Sequence, residues 1–213
     1  YEVAVRIKPK HTAPASVDLR ELAGQLSQNV SNEFEFSLAK RKALYLDAPF
    51  AYPQRFVLDT KNITDDDRKK LGKNEYIDLE EKEKTVTLNV GSIILATGWK
   101  PYDVTNLTNL GAGKLPNCIH NMQMERLASP CGPTNGKILR PSDNQAPKRV
   151  AFVQCAGSRD ENHLSYCSYI CCMASLKQAQ YVREQYPNSE VTIFYIDLRT
   201  PGRYEKFAKN LLE

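Results

Sequence analysis

The chain has 213 residues, 41% of them hydrophobic and 25% charged, enough apolar material for one large domain or two small ones. Its net charge of +4 is dispersed, with Asp65-Asp66-Asp67 directly beside Arg68-Lys69-Lys70, so it reads as a solvated surface rather than the basic stripe of a nucleic-acid binder. No apolar run approaches the ~20 residues of a membrane-spanning helix. The chain starts on Tyr1 rather than Met and is therefore expected to be an internal fragment of a longer protein, whose own targeting segment stays open.

Tyr1 to Ile7 alternates, with Val3, Val5 and Ile7 on one side, and predicts a strand. After a loop around Pro9 and Pro14, a helix is expected, capped by Ser16 or Asp18, with Leu19, Leu22 and Leu26 on one face. Residues 41–46 and 55–59 look extended on either side of a loop containing Pro49 and Pro53, while 32–38 is ambiguous. The stretch 59–84 is the most polar part and predicts a surface excursion, with a helical turn over Thr64 to Leu71 ended by Gly72. Thr85 to Val90 alternates as a strand, and Ser92-Ile93-Ile94-Leu95-Ala96 is continuously apolar, as in a strand buried on both faces. Residues 104–147 are rich in Gly and Pro, with one short helix expected over Asn121 to Leu127.

A second α/β unit then begins. Arg149 to Gln154 and Val191 to Ile196 predict buried strands. Between them a helix is expected through Cys171 to about Tyr186, and another over Arg203 to Leu212. Strand–helix–strand–helix is the opening of a doubly wound nucleotide-binding fold. Such a fold places G-x-G-x-x-G after its first strand, so that pyrophosphate reaches the backbone and the helix N-terminus. Here the turn is Cys155-Ala156-Gly157-Ser158-Arg159-Asp160, with Cys155 in the place of the first glycine. Asp197 ends the second strand, 42 residues after Cys155, about twice the usual ~20 for a ribose-binding acid. The unit is therefore not expected to bind a nicotinamide nucleotide.

The cysteines are distributed unevenly. The first 117 residues contain none, Cys118 and Cys131 lie apart, and Cys155, Cys167, Cys171 and Cys172 crowd into eighteen residues with the spacing C-x11-C-x3-C-C. A secreted disulfide scaffold spreads its cysteines to close loops, whereas crowding suits a metal or redox site in a reducing cytosol. Four thiolates converging from different directions are what a [4Fe-4S] cube requires. Cys167 and Cys171, four apart on one expected helix, would project together, Cys172 would be turned by about 100°, and Cys155 would fold back across its eleven-residue loop. The backbone N–H groups of Gly157 and Ser158 are candidate donors to cluster sulfur. Structural zinc, unligated core thiols and a redox disulfide stay open as alternatives, although adjacent cysteines suit a zinc knuckle poorly and C-x-x-C is absent.

At Phe152-Val153-Gln154-Cys155-Ala156-Gly157-Ser158-Arg159-Asp160, with Tyr166-Cys167-Ser168 and Cys171-Cys172-Met173, the sequence resembles the flavin-containing A subunit of heterodisulfide reductases. The resemblance is sharper for a relative, the A subunit of the quinone-interacting membrane-bound oxidoreductase of sulfur-metabolising bacteria. Ile93 to Asp103, including Ala96-Thr97-Gly98, is similar to the family's A-T-G flavin segment; Gly132 to Gly136 and Tyr195 to Thr200 fit as well. Together these stretches cover most of residues 40–213.

The resemblance implies an α/β fold, part of a thioredoxin-reductase-like flavoprotein with a degenerate Rossmann-type βαβ unit and a small α+β segment at the N-terminus. It implies three parts: 1–84, a cluster-less remnant of a ferredoxin-like insertion; 85–147, a flavin-domain strand and connection; and 148–213, the unit with the cysteine motif. It implies that Cys155, Cys167, Cys171 and Cys172 bind a [4Fe-4S] cluster near FAD, and that Ala96, Thr97 and Gly98 approach FAD. The family's ferredoxin-type cysteines have no counterpart in residues 10–80, which points to the quinone-oxidoreductase branch. The family's FAD-binding G-x-G-x-x-G is missing too, so this chain alone is expected to bind no FAD and to be inactive in isolation. The implied role is electron transfer between FAD, a cluster and partner subunits in sulfur- and quinone-linked metabolism. That role carries an expectation of a cytoplasmic site, with membrane association through partners. The competing reading is a non-catalytic docking module with structural cysteines or zinc. His120 and His163 are expected to be ordinary polar residues.

Overall fold

The computed structural model describes residues 1–14, 17–48 and 50–212. It divides into two compact units, Tyr1–Trp99 and Lys100–Glu213, each with its own packing.

In the first unit, strand β1 (Glu2–Ile7) is followed by helix α1 (Arg20–Gly24), strands β2 (Asn29–Ser31), β3 (Lys40–Lys42), β4 (Leu44–Tyr45) and β5 (Val57–Leu58), helix α2 (Asp65–Leu71) and strand β6 (Lys84–Asn89). The strands pair antiparallel as β1–β6, β2–β3 and β4–β5. The core collects Leu19, Ala23 and Leu26 from α1 and its flanks, Ala43, Leu44, Phe56 and Leu58 from around β4 and β5, and Leu71 from α2. Leu19 and Leu26 are buried and Leu22 packs against the core from its edge, as their shared helical face requires. Asp18 accepts the backbone N–H of Arg20 at 3.0 Å, although the helix geometry places its cap at Leu19; Ser16, the other expected cap, and Pro49 lie outside the described residues.

Two expectations for this unit are corrected. Residues 92–96 form no strand: Ile93, Ile94 and Leu95 are 55%, 88% and 86% exposed. A continuous apolar run becomes a buried strand only when neighbouring strands and two covering layers are supplied, and among the described residues none pairs with this run. The acidic triplet is also not wholly solvated, because Asp67 is buried. It sits at the third position of α2 and closes a capping box: Thr64 Oγ1 accepts the Asp67 N–H at 3.1 Å, and the Asp67 carboxylate accepts the Thr64 N–H at 3.2 Å. The same carboxylate accepts Ser27 N–H at 3.1 Å and Ser27 Oγ–H at 2.7 Å. Burial by itself would raise its pKa, but the hydrogen bonds from Ser27 and Thr64 outweigh that and hold it at about 2.

In the second unit, a 3₁₀ turn (Val104–Asn106) and a Gly/Pro-rich stretch lead to helix α3 (Asn121–Ala128), then β7 (Arg149–Val153), α4 (Cys171–Gln185), β8 (Glu190–Phe194) and α5 (Tyr204–Leu212). Strands β7 and β8 are parallel, paired from Arg149↔Glu190 to Val153↔Phe194. This is the strand–helix–strand arrangement that the alternation of patterns predicts. Alternate residues Val150, Phe152 and Val191 turn to the α4 side and pack with Val182, Met124 and Ile138. His120 starts α3 through a second capping box with Gln123, its Nδ1 accepting the Gln123 N–H at 3.3 Å. Burial lowers the His120 pKa, favouring the neutral ring that leaves a nitrogen free to accept. Among the described residues no helix is long and apolar enough to cross a membrane.

Candidate metal centre

The sheet alternation that partly buries Val150 and Phe152 carries one step further, to the buried Gln154. Its backbone N–H extends the ladder to the Phe194 carbonyl at 2.9 Å, which directs its side chain to the helix-covered face. The chain then turns sharply. Cys155, Gly157 and Arg159 have φ of +57°, +80° and +57°. Holding two non-glycine residues in the left-handed region costs of order 1–3 kcal/mol each, and such strain is concentrated at functional sites. Gly157 is required for a further reason: a Cβ there would lie 2.6 Å from Tyr102 Cδ1. Tyr102 is in turn held by a 2.7 Å hydrogen bond between its hydroxyl and His163 Nδ1.

The eleven residues after Cys155 fold back on themselves. Leu164 N–H donates to the Gly157 carbonyl at 3.2 Å, and Arg159 N–H donates to the Tyr166 carbonyl at 3.2 Å. This arch returns the chain beside its start and delivers Cys167. The expectation that Cys167 shares a helix with Cys171 is corrected: α4 begins at Cys171, and Tyr169, with φ of +61°, interrupts any helix between them. The Tyr169 N–H turns to face Cys167 Sγ at 3.4 Å instead. The anticipated Ser158 donor is likewise committed elsewhere, to the Cys155 carbonyl at 3.1 Å.

Cys155, Cys167, Cys171 and Cys172 all line one cleft, together with Gln154 and Arg159. They reach it from the end of β7, from the returning loop and from the first turn of α4, whose start no side chain caps. Cys118 and Cys131 do not line that cleft, and all six cysteines are free thiols. Ser168 Oγ lies 2.7 Å from Cys171 Sγ. Among the described residues no three His, Cys, Asp or Glu side chains gather closely enough to share one metal ion. A cube of iron and sulfide places a different demand, one thiolate on each of four corners.

The electrostatics are cationic. Arg159 is paired with Asp197, and its Nη1 stands 3.9 Å from Cys155 Sγ. Arg199 approaches Asp197 at 3.5 Å. The hydrogen bond from Arg159 holds the Asp197 carboxyl below its ordinary range, with Arg199 adding to the effect. Asp197 is thereby engaged by two guanidinium groups, and its backbone carbonyl lies 3.8 Å from Cys172 Sγ. Ala96, Thr97 and Gly98 belong to the first unit, in an exposed segment outside any helix or strand, with Gly98 at φ of +71°. These residues by themselves do not enclose a flavin. Gln154 and Arg159 were not legible as site residues. Only the parity of Gln154 with Phe152 and the place of Arg159 four residues after Cys155 signalled them.

No family model matches the chain. It is 40% identical over 213 residues to the A subunit of the H(2)/formate:CoB-CoM heterodisulfide,ferredoxin reductase of Methanococcus maripaludis, covering 98% of this chain and 32% of that protein. It is 37% identical over 214 residues to the A subunit of the Ferredoxin/F(420)H(2)-dependent CoB-CoM heterodisulfide reductase of Methanosarcina acetivorans, covering 97% and 27%. Over nearly its whole length the chain is a homologue of part of the heterodisulfide reductase A subunits. A third relative, the iron-sulfur A subunit of the CoB--CoM heterodisulfide reductase of Methanocaldococcus jannaschii, is 35% identical over 222 residues, covering 100% and 33%. The chain thus spans about a quarter to a third of the length of these heterodisulfide reductase A subunits.

The cleft fits an iron–sulfur group. Its donors are soft thiols, they arrive from three segments, and the buried Gln154 Nε2 beside them has no hydrogen-bond partner.

Proposed function

We propose that Cys155, Cys167, Cys171 and Cys172 hold a [4Fe-4S] cluster, and that the chain is the electron-transfer part of a flavin/iron-sulfur oxidoreductase subunit. The observation that carries this reading is the convergence of all four thiols on one cleft beyond the carboxyl ends of two parallel strands, where open α/β sheets bind their ligands. When bound, the cluster supplies one-electron transfer without bond making or breaking. The chain's own residues do the rest. The first turn of α4 presents two sulfurs at the positive end of a helix dipole. Arg159 and Arg199 add positive charge at the rim, and Asp197 orients both.

The surrounding fold is read as a degenerate Rossmann-type unit of a thioredoxin-reductase-like flavoprotein. In the longer protein Ala96, Thr97 and Gly98 would approach FAD, and this chain alone would bind none. Electrons would pass to partner subunits of a heterodisulfide reductase-like or quinone-interacting complex, with this part held at a membrane only through those partners.

Anaerobic reconstitution tests the core of the proposal. About four iron and four sulfide per chain are expected, with Cys171→Ser losing the visible absorption. Failure to take up iron, or an unaltered spectrum in C171S, would sink it. Zinc bound without sulfide would instead support the docking module with structural cysteines. A stoichiometric flavin spectrum from the purified chain would overturn the FAD assignment alone.

A further inference from the structure

Gln154 is a buried polar side chain, 8% exposed, at the end of β7. Its Nε2 is inaccessible to solvent and has no hydrogen-bond partner, and Gln154 lines the same cleft as the four cysteines. A buried amide left unpaired is costly, and native proteins tolerate one chiefly where something else completes it. Several other donors around the cleft are engaged. Arg159 is paired with Asp197, Ser158 N–H with the Cys155 carbonyl, and Ser168 Oγ sits against Cys171 Sγ. Gln154 Nε2, by contrast, is a buried donor with no partner, on a residue that lines the sulfur-bearing cleft.

We propose that Gln154 donates its side-chain N–H to a sulfur of the bound cluster and thereby helps to set its reduction potential. The inference rests on the cluster reading. It involves no proton transfer and no broken bond: one added electron makes the iron–sulfur group more negative, and a neutral N–H donor favours that form. Removing the donor therefore lowers the potential. Leucine at this position has a similar reach without the amide, and glutamate replaces the donor by an acceptor.

The test uses the 213-residue chain, reconstituted anaerobically and titrated with dithionite while the reduced cluster is followed by EPR. Iron and sulfide are counted first. A wild-type chain that takes up neither overturns the cluster reading and this inference with it. With iron fully loaded, Q154L is expected at a lower potential than wild type and Q154E lower still; an unmoved potential in Q154L overturns the role of Gln154 and leaves the cluster reading standing. If Q154L takes up no iron, pulsed EPR on wild-type protein with isotopically labelled glutamine amide nitrogen decides. Among the described residues Gln154 is the one glutamine lining the cleft, so a nitrogen coupling to the reduced cluster supports the hydrogen bond and its absence overturns it.

Discussion

Each unit buries a polar side chain, and the two are treated in opposite ways. Asp67 in the first unit, at 1% exposure, receives hydrogen bonds from Ser27 and Thr64 and is fully built into a helix cap. Gln154 in the second unit, at 8% exposure, has a buried amide nitrogen with no partner. A satisfied buried group fastens structure; an unsatisfied one beside four free thiols is where the proposed cluster would supply the missing partner. The contrast is between two sites: Gln178 and Ser189 of the second unit are buried and hydrogen-bonded as Asp67 is.

The largest expected effect breaks the satisfied side. Asp67→Ala removes a carboxylate and strands the Ser27 and Thr64 donors, so it should cost about 3 kcal/mol in chemical denaturation. Acid should weaken the same contact more gently. The Asp67 carboxyl lies at about 2 when folded, against an ordinary 3.8 when unfolded, so the unfolded chain binds the proton more readily. Its contribution is complete above about pH 4 and is lost as the pH falls toward 2, amounting to about 2 kcal/mol. Asp67→Asn should flatten that part of the pH–stability curve.

Next comes the scaffold of the cysteine loop. Gly157→Ala forces a side chain onto a φ of +80° and against the Tyr102 ring, for about 1–2 kcal/mol, read as a lower melting temperature. Thr64→Ala leaves Asp67 in place but opens the cap, costing about 1 kcal/mol. The smallest change sharpens the contrast: in iron-free protein Gln154→Leu should alter stability by less than about 1 kcal/mol, because no existing hydrogen bond is lost. A loss as large as that of Asp67→Ala would erase the distinction between the two sites.

Much of the fold was legible because it follows local periodicity. The alternation in Glu2–Ile7 and Lys84–Asn89 appears as paired strands, the Thr64-to-Gly72 segment as a capped helix, and Arg149 to Leu212 as strand–helix–strand–helix. The cysteine cluster was legible too, because four thiols within eighteen residues can meet after a single loop. The errors fall where a neighbour decides. Ile93 to Leu95 carry the pattern of a buried strand but have nothing to bury them among the described residues. Asp67 carries the pattern of a solvated triplet but meets Ser27, forty residues away in sequence. Cys167 has helical spacing from Cys171, yet the left-handed turn at Tyr169 takes it off the helix and onto the returning loop.

The sequence by itself determined most of the elements and the crowding of four cysteines into one short stretch, since these depend on residue type and short-range spacing. Only the tertiary structure decided which polar groups are buried, which of those are paired, and from which directions the sulfurs reach the cleft. Spacing along the chain specifies which face a residue takes; what lies against that face is set by contacts between segments far apart in sequence. Gln154 makes the point: its parity placed it inward, and the absence of any partner at Nε2 emerged only once α4 and the cysteine loop were folded around it.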